Sequence, residues 1–422
     1  MSGAVLSLLL LLVLLLAGGL WVGLALIAVG LAALLLLRDV DALAFLAGDV
    51  WRSLTAPELV ALPLFVLMGE ILNRSRVAER LFAGLAPWLA GLPGGLVHTN
   101  IAGCTLFAAV SGSSAATTAT VGRITLPELR ARGHDERLVI GSLCGAGTLG
   151  FLIPPSIVLI LYGVLAEVSI VTLFLAGIVP GLLLAGGYMA YVAIVGPRPP
   201  AAAFTWRERL RALPGLLPVL ALILVVVGSM YAGIAGPTEA ATIGVGGALL
   251  VAAMQRTLDI AALRAALLAG VRTSAMLGLI LAGAFFLSKV AALFGLPEAA
   301  ARAVGALTLP PPLLILALLL LYVLLGMVLD GLSLILMTLP VTLPLATGAG
   351  FDPVWFGIFL VIVVEMAQIT PPVGFNLFVV QDLSGRPLGS VARAAFPFFL
   401  ITAAMVLLLL SAPGIVLWVN GH

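Results

Sequence analysis

Two Pro-Pro pairs, Pro154-Pro155 and Pro371-Pro372, lie 217 positions apart. Each is preceded by the same punctuation. Leu126-Pro127, Gly133 and Asp135 lead to the first pair; Leu343-Pro344, Gly350 and Asp352 lead to the second, at the same 217 spacing. An internal duplication is the simplest account. Further upstream, Ser111-Gly112 pairs with Asp330-Gly331 at 219, which implies a two-residue length difference between the halves. Both Pro-Pro pairs fall inside apolar segments. Proline has no N–H to donate and blocks continuation of a helix. A helix broken at corresponding places in two halves of a membrane chain is the sequence pointer to a solute-binding site in the membrane plane.

The membrane setting follows from composition. The chain has 422 residues, 63% hydrophobic and 9% charged, more apolar surface than a soluble domain buries. A polytopic all-α membrane protein is expected. Net charge is +2, from 20 basic and 18 acidic residues, which argues against a nucleic-acid partner. Cys104 and Cys144 have neither metal-ligand nor disulfide-framework spacing, and His98, His134 and His422 form no cluster. No zinc, haem or other metal centre and no organic cofactor is expected.

The first charged side chain is Arg38, so Leu6 to Leu37 is read as a retained membrane segment. It is one tilted helix with an extension, or two helices hinged at Gly18-Gly19. Counting apolar runs gives about eleven hydrophobic segments. The longest polar loop, residues 196–211, carries Arg198, Arg207, Arg209 and Arg211 and is placed in the cytoplasm. Arg123, Arg130, Arg132 and Arg137 form a similar cluster. Residues 257–271 read either as a surface-lying helix or as a short connection.

Polar residues stand where lipid is expected. Residues 109–122 read AVSGSSAATTATVG, with Ser111, Ser113, Ser114, Thr117, Thr118 and Thr120. Small hydroxyl residues suit close helix packing and equally suit a re-entrant hairpin tip, where irregular backbone lines a cavity. The duplication favours the tip. The carbonyls freed around Gly150–Ile153 and Ala367–Thr370 are natural Na+ ligands, with Ser156, Thr370 and Asn376 adding polar groups. Glu70 and Glu167 lie near segment ends, and Glu239 stands at a helix start. Lys289 has no nameable partner, Glu365 is left open, and Asp330 belongs to the second hairpin near ion or substrate.

Seven motifs then read in order: SGSSAATTATVG, LGFLIPPSIVLILYG, LFLAGIVPG, GPTEAATIG, LGMVLDGLSLILMTLPVTLP, GFDPVWFGI and ITPPVGFNLFV. Together they resemble the large, dicarboxylate-type M subunit of tripartite ATP-independent periplasmic (TRAP) transporters, from about Leu59 to the C-terminus. The resemblance implies an elevator-type transporter with inverted repeats, two re-entrant helical hairpins and two broken helices. It implies Na+-coupled import of an organic acid across the bacterial inner membrane. The partners implied are a periplasmic substrate-binding P protein and a small four-helix membrane Q subunit, within the lipid bilayer.

Carried onto this chain, the first Na+ site would use Ser111, Ser113 and Ser114 with Gly150, Ile153 and Pro155. The second would use Gly326 with Ala367, Thr370 and Val373. Substrate would meet Ser113, Thr117, Ser156, Ser333 and Asn376, with Asp330 supporting the hairpin or the ion. One departure is visible: Ala367 stands where the family often has glycine.

The expected organisation is residues 1–95 as N-terminal scaffold, 96–195 as first-repeat transport elements and 196–215 as cytoplasmic linker. Residues 216–310 follow as second-half scaffold, 311–390 as second-repeat transport elements and 391–422 as the C-terminal helix. The alternative function is a binding-protein-independent secondary anion carrier of the same architecture. A passive membrane scaffold has no use for two matched breaks, and no constellation suited to an enzyme appears. Which acid is carried is not legible.

Overall fold

A computed structural model describes residues 2–37, 41–198, 204–257, 259–296, 299, 302, 310–327 and 329–421. Arg38, residues 199–203 of the expected linker and Val328 of the second hairpin lie outside them. Among the described residues all regular structure is helical. Six helices are long and apolar enough to cross a membrane, and a pair bent by 60°, residues 42–54 with 57–73, would be a seventh.

The N-terminal run is two helices, α1 (Ser2–Ala17) and α2 (Val22–Leu37), joined at Gly18-Gly19. Gly19 has φ +80, a left-handed conformation open to glycine at little cost. α3 (Ala42–Leu54), α4 (Ala61–Asn73) and α5 (Val77–Leu89) complete the N-terminal part. α2, α4 and α5 pack against α11 (Trp206–Tyr231), α12 (Pro237–Met254) and α13 (Ile260–Leu293), forming one packed group.

α13 has 34 residues, about 50 Å of helix against a hydrocarbon core of about 30 Å. The segment at 257–271 is therefore no separate element: it is mostly the first turns of a long span. Lys289 on α13 does have a partner. It pairs with Asp49 of α3, whose side chain is 3% exposed. Truncating one member of such a pair leaves the other charge uncompensated.

The second group contains the duplication. α6 (His98–Ser111) and α7 (Ser114–Ala131) form a hairpin; α8 (Glu136–Thr148) and α9 (Ile157–Ala166) form a helix broken at the first Pro-Pro pair. α14 (Pro311–Gly326) and α15 (Gly331–Gly348) form the second hairpin; α16 (Pro353–Gln368) and α17 (Phe375–Ser384) form the second broken helix. Between them run α12, α13, α11 and α10 (Ile170–Val195), and α18 (Leu388–Ser411) closes the group.

The register of the halves is uniform at the caps. Ser113 caps α7, accepting from the Ala116 N–H; Asp330 caps α15, accepting from Ser333. Asp135 caps α8 and Asp352 caps α16. These pairs are all 217 apart. The 219 match of Ser111-Gly112 with Asp330-Gly331 is thus a coincidence of letters, and no two-residue difference lies after the tips. Asp330 stands in the place of Ser113, not Ser111, because a serine and an aspartate do the same capping work.

Candidate functional site

Length explains why the broken helices carry polar chemistry. α8 and α9 have 13 and 10 residues, about 20 and 15 Å. Neither spans alone, so their inner ends must terminate inside the protein and find partners there. Pro154 cannot donate to the Gly150 carbonyl, nor Pro155 to that of Phe151. The Ser156 hydroxyl donates to the Phe151 carbonyl and, as the cap of α9, accepts from the Leu159 N–H. The Gly150 carbonyl is left without its helical partner. In the second half, Pro371 and Pro372 deny the Ala367 and Gln368 carbonyls their helical partners; the Ala367 carbonyl is recaptured within the last turn. The Thr370 N–H reaches back to Ala367, and its hydroxyl donates to Met366 at 2.7 Å. Both Pro-Pro bonds are cis.

Each break receives a hairpin tip, and in each half one glycine makes room for it. A Cβ on Gly150 would stand 2.7 to 2.8 Å from the carbonyl carbon and oxygen of Ser113 and the nitrogen of Ser114. In the second half the small residue is on the hairpin. A Cβ on Gly326 would stand 2.5 Å from the Ala367 methyl. Ala367 occupies the Gly150 position and meets Gly326, which by the 217 register stands in the place of Ala109, just before the tip that Gly150 meets. That accommodates the alanine noted in the sequence. The first tip is further fixed by the Ile157 N–H, which donates to the Gly112 carbonyl at 3.4 Å. Gly112 has φ +60.

The two halves also interlock. α7 packs on α17, and α15 packs on α9. Ser114 donates to the Asn376 side-chain oxygen at 3.1 Å, a bond between the first hairpin and the second broken helix. Both are buried, and among the described residues the Asn376 side-chain nitrogen has no hydrogen-bond partner. Thr117 and Ser111 share a 2.7 Å hydroxyl contact. Ser156 and Thr117 are fully buried, Ser333 almost so, and Val373 is 37% exposed. Ile153 donates its N–H to Leu149. The Pro155 carbonyl lies against Gly112.

A cavity of about 110 Å³ separates the first tip from the N-terminal group. Ser111, Gly112 and Ser113 form one wall; Gly69, Glu70 and Asn73 of α4 and Thr273 of α13 form the other. Of the expected substrate residues, Ser113 alone borders this cavity. Thr117, Ser156, Ser333 and Asn376 support the tips and breaks from behind. The α4 wall was not anticipated. Glu70 is not only a segment-end residue: it pairs with Arg74 and borders the cavity. Asn73 accepts from Thr120 of α7. The signal available in sequence was the GEILNR run, polar at helical spacing inside an apolar helix.

Glu365 lies in the last turn of α16, fully buried, beside the Leu152 main chain at the first break. Among the described residues no group of three or more His, Cys, Asp and Glu could hold a metal ion. Beside Glu70 on the cavity wall and the buried Glu365, what the tips and breaks themselves present is neutral oxygen: carbonyls, hydroxyls and one amide.

Comparison with known proteins agrees with this architecture. The family model described as the DctM component of tripartite ATP-independent periplasmic transporters matches residues 9–415. The C4-dicarboxylate TRAP transporter large permease protein of Pseudomonas aeruginosa is 34% identical over 388 residues, covering 91% of each chain. The ectoine/5-hydroxyectoine TRAP transporter large permease protein of Ruegeria pomeroyi is 30% identical, covering 92% of this chain and 91% of its own. In structure, the Alcanivorax borkumensis YdaH transporter superposes with a TM-score of 0.68 at 16% identity, over 93% of this chain and 97% of its own. That likeness speaks for the fold alone. With a family model spanning nearly its full length, the chain belongs to the DctM component of the tripartite ATP-independent periplasmic transporters, a multi-pass membrane permease subunit and not an enzyme.

Proposed function

We propose that this permease imports a small organic acid across the bacterial inner membrane, driven by Na+ and supplied by a periplasmic binding protein. The observation that carries the reading is the matched approach of a hairpin tip to a broken helix in both halves, at Gly150 against Ser113 and at Gly326 against Ala367. Each approach brings main-chain carbonyls and hydroxyls together; of the nearby carboxylates, Asp330 is engaged as the cap of α15 and Glu365 is buried beside Leu152. Na+ is held well by several neutral oxygens, and half-helix N-termini favour anions.

The first Na+ site would draw on Ser111, Ser113, Ser114, Gly150, Ile153 and Pro155; the second on Gly326, Ala367, Thr370 and Val373. Substrate would enter the cavity between the tips and α4. Bound Na+ supplies positive charge there. Asp330 is committed to its helix cap and keeps its own charge from the substrate carboxylate.

In this reading the hairpins and broken helices, with α10 and α18, move as one transport body against α2–α5 and α11–α13, in an elevator cycle. A small Q subunit binds the static group, and the P protein delivers cargo. The relatives carry names for C4-dicarboxylates and for ectoine, so the reading stops at a small organic acid.

The test is uptake by proteoliposomes holding the permease with its small and periplasmic partners. Uptake is expected only under an inward Na+ gradient and only with the binding protein present. Undiminished uptake with K+ on both sides would refute Na+ coupling. Full uptake by the permease alone would favour a binding-protein-independent anion carrier.

Thr370 gives a residue-level check. Its hydroxyl already donates to Met366, so its lone pairs are free for a cation. Thr370→Val is expected to raise the Na+ concentration for half-maximal uptake roughly tenfold, about the 1.4 kcal/mol of one modest ligand. An unchanged Na+ curve removes this side chain from the site.

A further inference from the structure

Around the outer ends of α8 and α18 the chain builds a basic cavity that the transport reading does not use. Its volume is about 270 Å³, and Arg137, Arg386, Arg393, Ser390 and Glu136 line it. Glu136 is bridged by Arg386 and by Arg130 of the first hairpin. The Arg386 hydrogen bond, with Arg130 behind it, holds the Glu136 carboxyl below the usual carboxylate range. The cluster is therefore four guanidiniums around one ionised carboxylate. Among the described residues, Arg137 and Arg393 have no acidic partner. α18 begins in this cavity with no side-chain cap on its first turn.

A second cavity, about 390 Å³, lies on the other flank of Arg393. It is mostly apolar. Phe396, Phe399 and Met327 line it, and its inner wall is Thr370 and Pro371 of the second break. Arg393 borders both spaces. Phe396 is 56% exposed on the outer face of α18, as a lipid-facing side chain is.

We propose that these two cavities form one site for an anionic phospholipid. Its phosphodiester headgroup is held by Arg137, Arg386 and Arg393, and an acyl chain lies along α18 toward Pro371. Three features favour a lipid over a free anion. The basic pocket is at the start of α8, two residues from His134, which lies against Gly95 beside the 196–211 loop assigned to the cytoplasm, where the leaflet is anionic. Guanidiniums pair with phosphate in bidentate fashion. An apolar space of acyl-chain character adjoins the basic one, and a soluble anion would leave it unfilled. The occupant would share a wall with the second half-site, which places a membrane lipid next to Thr370.

The test is thermal unfolding of the full-length chain in detergent, with phosphatidylglycerol, phosphatidylcholine, inorganic phosphate or succinate added. Phosphatidylglycerol is expected to raise Tm by about 3 °C or more; the other three are expected to leave it unchanged. Arg137→Ala with Arg393→Ala should remove the shift, and both side chains are exposed, so the unliganded Tm should hold. Ser390→Trp, which fills the basic cavity, should do the same. An equal shift with phosphatidylcholine would overturn the proposal. So would a shift reproduced by phosphate or succinate, which would mean a free-anion site, or a phosphatidylglycerol shift that survives both variants.

Discussion

Gly150→Ala is expected to reduce Na+-driven uptake on the order of 10- to 100-fold while the protein still inserts and assembles. The added Cβ would meet the main chain of Ser113 and Ser114 at 2.7 to 2.8 Å, and main chain cannot rotate aside as a side chain does. The tip or the break must move by several tenths of an ångström. Sites that work by positioning lose on the order of 100-fold for a displacement of about 1 Å. Gly150 is buried within the hairpin-and-break group and not on the face toward α4, so Tm should fall only modestly. The check is a paired measurement: uptake rate against Na+ concentration, and thermal unfolding of the same preparation. Loss of uptake with an unchanged Na+ midpoint would move Gly150 out of the ion site.

Gly326→Ala is expected to be as damaging, and unlike Gly150→Ala it should be rescuable. Its new Cβ would stand 2.5 Å from the Ala367 methyl. Ala367→Gly removes that methyl. The double variant Gly326→Ala/Ala367→Gly puts glycine back on the broken helix, the arrangement of the first half, and should recover most of the lost uptake. Ala367→Gly alone leaves a gap of one methyl, worth about 1 kcal/mol, and should be mild. The four chains make a double-mutant cycle, and a coupling of roughly 1 to 3 kcal/mol is expected. Additive losses would mean that the two positions do not meet across the second half-site.

The breaks were legible because their cause is covalent. Proline's missing donor interrupts a helix wherever it occurs, and two such interruptions at one spacing announce a repeat. The caps left only a trace in the sequence: Asp135 and Asp352 read as matched punctuation of the repeat, while the capping work they do, with Ser113 and Asp330, shows only in the structure. What failed was alignment by identity near the tips. The letters Ser-Gly and Asp-Gly matched at 219, while the geometry matched Ser113 with Asp330 at 217.

Long-range partners were also invisible. Asp49 and Lys289 are separated by 240 positions, and nothing local in either segment names the other. The α4 wall of the cavity was missed because Glu70 and Asn73 look like ordinary segment-end residues until the hairpin tip is placed beside them. The contact of Gly326 with Ala367 is a property of two surfaces. The sequence displays its halves far apart, and the alanine at 367 reads as a departure from the pattern until Gly326 is seen facing it.

The central claim is that the two half-sites hold Na+. It is tested most directly by binding of radiolabelled Na+ to the purified permease in detergent, with K+ as competitor. Saturable binding that K+ does not displace is expected. Gly150→Ala and Gly326→Ala should each remove part of it, and the two together should remove nearly all. Absence of saturable binding, or full binding retained in the double variant, would contradict the account.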